Sequence, residues 1–126
     1  MDLQKALNIE RLTHWTNEAG ESLCFSVGDD EAEIKRQVNA GISRLYRLDD
    51  GDAWLVTRLE RFGKRVELAC LCFEGRNMAK WAKIIKIEAK KAGVDVIRFH
   101  VKNDAVARLV RFTGAKKRET VYEVVI

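Results

Sequence analysis

Apolar positions change period along this chain, and the changes divide it into elements. Residues 3–16 place Leu3, Ala6, Leu7, His14 and Trp15 on a helical stripe ended by Asn17 to Gly20, which predicts a first helix. Residues 22–27, Ser-Leu-Cys-Phe-Ser-Val, read as a short strand. Asp30 followed by Glu33 has the spacing of a helix capping box, and the helix it opens runs to Ala40 and stops at Gly41. Residues 42–48 alternate Ile42, Arg44, Tyr46 and Leu48 against Ser43, Leu45 and Arg47, as a strand does. The turn Asp49-Asp50-Gly51-Asp52 joins it to a strand over 53–61, and Phe62-Gly63-Lys64 joins that to a strand over 65–73. From Leu68 to Phe73 both faces are apolar, so the third strand of this antiparallel meander is central and covered on both sides.

The second half, residues 66–126, is more regular. Asn77 caps a helix over 78–92 that places Met78, Trp81, Ile84, Ile85, Glu88 and Ala89 within one face and closes at Gly93. Residues 94–101 are β-branched and mostly apolar, a buried strand that a helical crossover makes parallel to a neighbour. Asn103 or Asp104 caps a last helix ending at Gly114, and residues 119–126 form a final strand with Thr120, Tyr122, Val124 and Ile126 on one side.

Composition narrows the class. A chain of 126 residues fits one domain, residues 1–126, with a single core. It is 47% apolar and 33% charged, unlike a disordered tail, and no apolar run reaches the roughly 18 residues a membrane span needs. The first residues carry no secretory signal pattern, and Cys24, Cys70 and Cys72 suit a reducing cytosol. Net charge is +4 and the pI near 9.1, a mild excess that permits phosphate binding without demanding it. Proline is absent, so no Pro-rich linker divides the chain.

The order of elements and the landmarks Asn103, Gly114, Ala89 and Gly93 resemble the GNAT (Gcn5-related N-acetyltransferase) superfamily, best over residues 42–126. Arg108 and Leu109 stand at positions commonly basic and leucine in that family. The run Leu71-Cys72-Phe73-Glu74-Gly75-Arg76 leading into a helix with Trp81 resembles small GNAT-like proteins of bacteriophages. The resemblance implies an α+β fold of the acyl-CoA N-acyltransferase kind: a mixed, mostly antiparallel sheet with helices on both faces. It implies an acetyl-CoA or other acyl-CoA cofactor and an amine acceptor. If the chemistry is lost, it implies a binding or virion-associated protein with a protein partner. The protein would then work in a bacterial host's cytoplasm or on a virion.

Under that resemblance the cofactor lies beside residues 71–73. Its binding residues are Phe73, Gly75, Arg76, Asn77, Met78, Ala79 and Lys80, and the amides of residues 76–80 meet the pyrophosphate, because free amides at a helix N-terminus attract anions. Asn103 contacts the pantetheine or adenine end, and Glu74 is the candidate base. The sequence departs from the family at two places. The stretch 74–79 is shorter than the family's glycine-rich loop, with one glycine and an acid at its head. Val110 stands where many members have a tyrosine that protonates the leaving thiolate, worth roughly 100- to 10,000-fold in rate. Tyr122 lies on the last strand instead.

The remaining candidates have simpler readings. Glu60 and Glu67 on strands read as solvated partners of Arg58 and Arg65. Cys70 and Cys72, two apart on a strand, share a face and read as small buried hydrophobes. With no second cysteine pair, and with His14 and His100 far off in sequence, no metal set is expected. His100 reads as a core or rim residue. Lys80, Lys83, Lys86 and Lys90 cover a third of a helix, and Arg108, Arg111, Lys116, Lys117 and Arg118 add a basic cluster. These could meet a nucleic-acid backbone or a CoA phosphate, but a lysine face without stacking aromatics is first a solvated face.

Overall fold

The computed structural model describes residues 8–100. These form a five-stranded sheet in sequential order: β1 (Ile9–Leu12), β2 (Arg44–Leu48), β3 (Ala53–Phe62), β4 (Arg65–Gly75) and β5 (Val96–Phe99). The first four are antiparallel neighbours, and β5 pairs parallel with β4. Helices α1 (Asn17–Ser22), α2 (Cys24–Val27) and α3 (Glu31–Asn39) lie between β1 and β2, and α4 (Met78–Lys91) lies between β4 and β5. The expected meander and the parallel crossover are both present. The expected helix over 103–114 and strand over 119–126 lie outside the described residues.

The sheet divides the interior in two. On one face Leu48, Leu55, Cys70 and Phe73 pack with Met78, Trp81, Ala82 and Ile85 of α4. On the other, Leu45, Trp54, Val56 and Cys72 pack with Ala19, Leu23, Val27, Ile34 and Val38 of the first three helices and their junctions. Alternation along each strand supplies both faces, so the central strands carry few polar residues.

Four sequence expectations are corrected. Within the described part of residues 3–16 the expected helix is replaced by a strand from Ile9 to Leu12, paired with β2. Its two apolar ends reach opposite cores, Ile9 the α4 side and Leu12 the other. The strand over 22–27 is helical instead. Ala19, Leu23 and Val27 recur every four residues and are all buried on one face, a period that outweighs the β-branched and aromatic content of the stretch. Thr16 caps α1 by accepting from the Ala19 amide at 3.1 Å. The helix expected from Asp30 is α3, but Asp30 makes no side-chain cap bond. Glu33 turns along the helix instead, to Arg36 and Gln37. α3 and α4 end where expected, at Gly41 (φ 77°) and Gly93 (φ 82°). The strand expected over 94–101 is Val96–Phe99, half-buried rather than buried.

No helix among the described residues is long and apolar enough to cross a membrane.

Candidate functional site

The candidate site lies where β4 outruns its neighbour and gives way to α4. Val56 pairs with Cys72 but Thr57 pairs with Cys70, so Leu71 is an extra residue on β4, a β-bulge. The bulge corrects the reading of the cysteines. Cys70 belongs to the α4-side core and Cys72 to the opposite one, because the inserted residue reverses the alternation. Burial pushes the Cys70 thiol up to about 12, which leaves it inert. A thiol reagent is therefore expected to modify exposed Cys24 rapidly in the native protein, and Cys70 and Cys72 only after unfolding. Counting thiols with and without denaturant checks this.

Among the described residues the ladder between β4 and β5 runs from Glu67 to Cys70, and the His100 N–H donates to the Cys70 carbonyl at 3.0 Å. β4 continues to Gly75.

The connection from β4 to α4 is tight. Gly75 has φ 130°, and a Cβ there would lie 2.3 Å from the Asp52 carbonyl oxygen and 2.4 Å from the Ala53 Cα. Its role is to let two backbones touch, which needs no phosphate. The Arg76 amide donates to the Asp52 carbonyl at 2.8 Å and is thereby spent, while its guanidinium stays exposed. Asn77 occupies the N-cap position in the left-handed region (φ 57°) without a side-chain cap bond, a second departure from expectation. The amides of Met78, Ala79 and Lys80 then open the helix with no carbonyl a turn back. Met78 and Phe73 turn their side chains into the core, where Phe73 stacks on Phe99 with centroids 6.4 Å apart. Of the expected cofactor residues, the structure brings together residues 73–80, and Asn103 lies outside the described residues.

An acid the sequence reading missed sits beside these amides. Asp49 accepts from the Trp81 indole N–H at 3.1 Å and from Lys80 Nζ at 3.3 Å, and Lys80 also lies 4.6 Å from the Trp81 ring centre. The available signal was the Asp49-Asp50-Gly51 turn itself. Both aspartates adopt positive φ (49° and 57°), which turns the chain toward α4.

Glu74 is half-buried on the face covered by α1–α3, where Ser26 Oγ donates to its Oε2 at 3.2 Å. Glu60 and Glu67 are engaged elsewhere. Glu67 is 3% exposed, not solvated as its pattern suggested, and meets Arg65 at 3.2 Å and Arg98 at 3.3 Å. Glu60 meets Arg58 at 2.6 Å and Arg98 at 2.9 Å. Burial pushes the Glu60 carboxyl up, but the two arginines more than offset this and hold it below the usual range. Arg98 also donates to His100 Nε2 at 2.9 Å. Burial, then Arg98 and Arg58, hold the histidine below its ordinary value. With Nε2 accepting, neutral His100 carries its proton on Nδ1 and has no lone pair left for a substrate. Among the described residues no three His, Cys, Asp or Glu side chains cluster as metal ligands.

This geometry of bulge, tight turn and helix N-terminus sits in a fold with counterparts among solved structures. A ribosomal-protein-alanine N-acetyltransferase from Brucella melitensis biovar Abortus 2308 aligns over 94% of this chain and 99% of its own, with TM-score 0.65 and 8% identity. The fold is the GNAT acetyltransferase fold. A possible acetyltransferase from Clostridium difficile 630 aligns over 94% and 99% of the two chains at TM-score 0.51 and 10% identity. TTHA1254 from Thermus thermophilus covers 93% and 95% at TM-score 0.53 and 14% identity. No protein-family model and no curated relative matches the chain. The mixed five-stranded sheet with helices on both faces is thus the GNAT-like arrangement that the resemblance implied.

Proposed function

We propose that this chain is an acyl-CoA-dependent N-acyltransferase, and that the cofactor lies at the Leu71 bulge. The observation that carries the reading is the bulge at Leu71, placed one short turn before a helix N-terminus. A thioester lying beside the bulge would turn its carbonyl toward β4 backbone amides. Its pyrophosphate would meet the amides of Met78, Ala79 and Lys80, with the Arg76 guanidinium as a flexible counter-charge. Asn103 would contact the pantetheine or adenine end.

In the reaction a neutral amine nitrogen attacks the thioester carbonyl, forming the N–C bond and an oxyanion. The C–S bond then breaks, and the CoA thiolate takes a proton from solvent, since Val110 has none to give. Glu74 is the base that takes the acceptor's proton, held in place by Ser26. Glu74→Gln keeps the size and the Ser26 contact, so the expected result is a kcat lowered on the order of 100-fold with KM for acetyl-CoA little changed. Transfer of labelled acetyl groups to a panel of primary amines measures it, and an unchanged kcat would remove Glu74 from the mechanism.

A second reading has its own observation. The Arg76 amide bonded to Asp52, and the Asp49 carboxylate on Lys80, take two groups a pyrophosphate would use. A phage-encoded GNAT-fold module that binds a protein partner without catalysis accounts for both and for Val110. It predicts no acetyl transfer to any amine, and a partner interaction that survives Arg76→Ala.

A further inference from the structure

Among the described residues, the α4 side of the sheet is only partly covered. α4 crosses from β4 to β5, and beside it a groove of about 750 Å³ runs over β1, β2 and β3. Its floor is apolar (Tyr46, Leu55, Leu59 and Leu68) and its wall is Ile84 and Ile85 of α4. Leu59 and Ile42 at the open end are each 50% exposed. Strands about 4.8 Å apart make the four-strand face wider than one helix of about 10–12 Å diameter. The uncovered width matches one more helix, the usual way a sheet face is closed.

Charge says what kind of helix. Arg11, Arg44 and Arg61, one on each of β1, β2 and β3, line the groove. All three are exposed, and among the described residues none has a carboxylate partner.

We propose that this groove is a docking site for an amphipathic helix of a partner protein. That helix has an apolar face for the floor and acidic residues along the arginine flank. The chain's own ends fit poorly. Residues 101–126 are basic (Lys102, Arg108, Arg111, Lys116, Lys117 and Arg118 against Asp104, Glu119 and Glu123), and residues 1–7 offer one acid, Asp2. A nucleic acid would satisfy the arginines but leave the apolar floor in water. The inference stands apart from the acyl-transfer reading, since none of these residues serves it.

The test uses the full chain and two labelled 18-residue helical peptides with the same leucine face, one flanked by glutamate and one by lysine. Anisotropy at low salt is expected to show micromolar binding of the acidic peptide and weakening with added salt. Arg44→Glu with Arg61→Glu should weaken it about ten-fold or more and favour the lysine peptide. An unchanged circular dichroism spectrum shows that the variant still folds. Equal binding of both peptides, no binding of the acidic one, or indifference to the arginine changes would overturn the proposal. So would self-association in sedimentation that Leu59→Asp abolishes, which assigns the face to a second copy of the chain.

Discussion

Replacing Gly75 with alanine is expected to destabilise the protein by about 3 kcal/mol or more, lowering Tm by on the order of 10 °C. Two effects combine. The residue sits at φ 130°, where an L side chain is strained, and its Cβ would meet backbone atoms of Asp52 and Ala53 at 2.3 and 2.4 Å. Neither neighbour can step aside cheaply. Ala53 is buried at the start of β3, and the Asp52 carbonyl holds the Arg76 amide. Separating those backbones would break that bond and tilt the entry into α4, so the variant should also lose any acyl-CoA response. Thermal melting followed by circular dichroism measures the first effect. A loss under about 1 kcal/mol would show that the close approach at Gly75 is not required.

Trp81→Ala should cost about 3–5 kcal/mol, the range for truncating a buried aromatic. Trp81 is 1% exposed and packs in the core that ties α4 to β3 and β4. Trp81→Phe separates packing from hydrogen bonding. It keeps most of the apolar volume but removes the indole N–H that Asp49 accepts at 3.1 Å. Because Asp49 is partly exposed, water can replace that donor, and the expected loss is about 1 kcal/mol. Urea denaturation of both variants gives the comparison. Equal losses would mean that the indole hydrogen bond, not the packing, anchors the helix.

Most elements legible in the sequence have an unbroken period. β2 and β3 alternate, α4 carries a helical stripe, and β4 is marked instead by an apolar run between turns. The first helices are misread because Leu23 and Val27 stand in a run of β-forming side chains, on a helical spacing within a stretch too short to display it. β1 is misread because four residues hold only two alternations. The bulge at Leu71 is invisible for a different reason. In a strand apolar on both faces, shifting the alternation by one residue changes no letter of the pattern, so Cys70 and Cys72 look like neighbours on one face.

The site is legible as a location more than as chemistry. Residues 73–80 do gather at the end of β4, as the resemblance implied. What the sequence hides is how their backbone groups are used. The Arg76 amide goes to Asp52 and Lys80 goes to Asp49, the second contact made across 31 residues that no local pattern records. Glu67 reads as solvated because arginine two residues away is a surface pairing. Its burial brings it to Arg98 on β5, which lies beyond the whole length of α4.

The central claim is that the Leu71 bulge and the N-terminus of α4 hold an acyl-CoA. Melting the protein against increasing acetyl-CoA tests it most directly. A ligand at about 100 times its Kd stabilises the folded state by about 2.7 kcal/mol, so the account predicts a saturating rise in Tm. A free nucleotide carrying the same pyrophosphate should reproduce part of that rise, and pantetheine alone should not. A Tm unmoved at millimolar acetyl-CoA would contradict the account and leave the GNAT fold serving as a binding module.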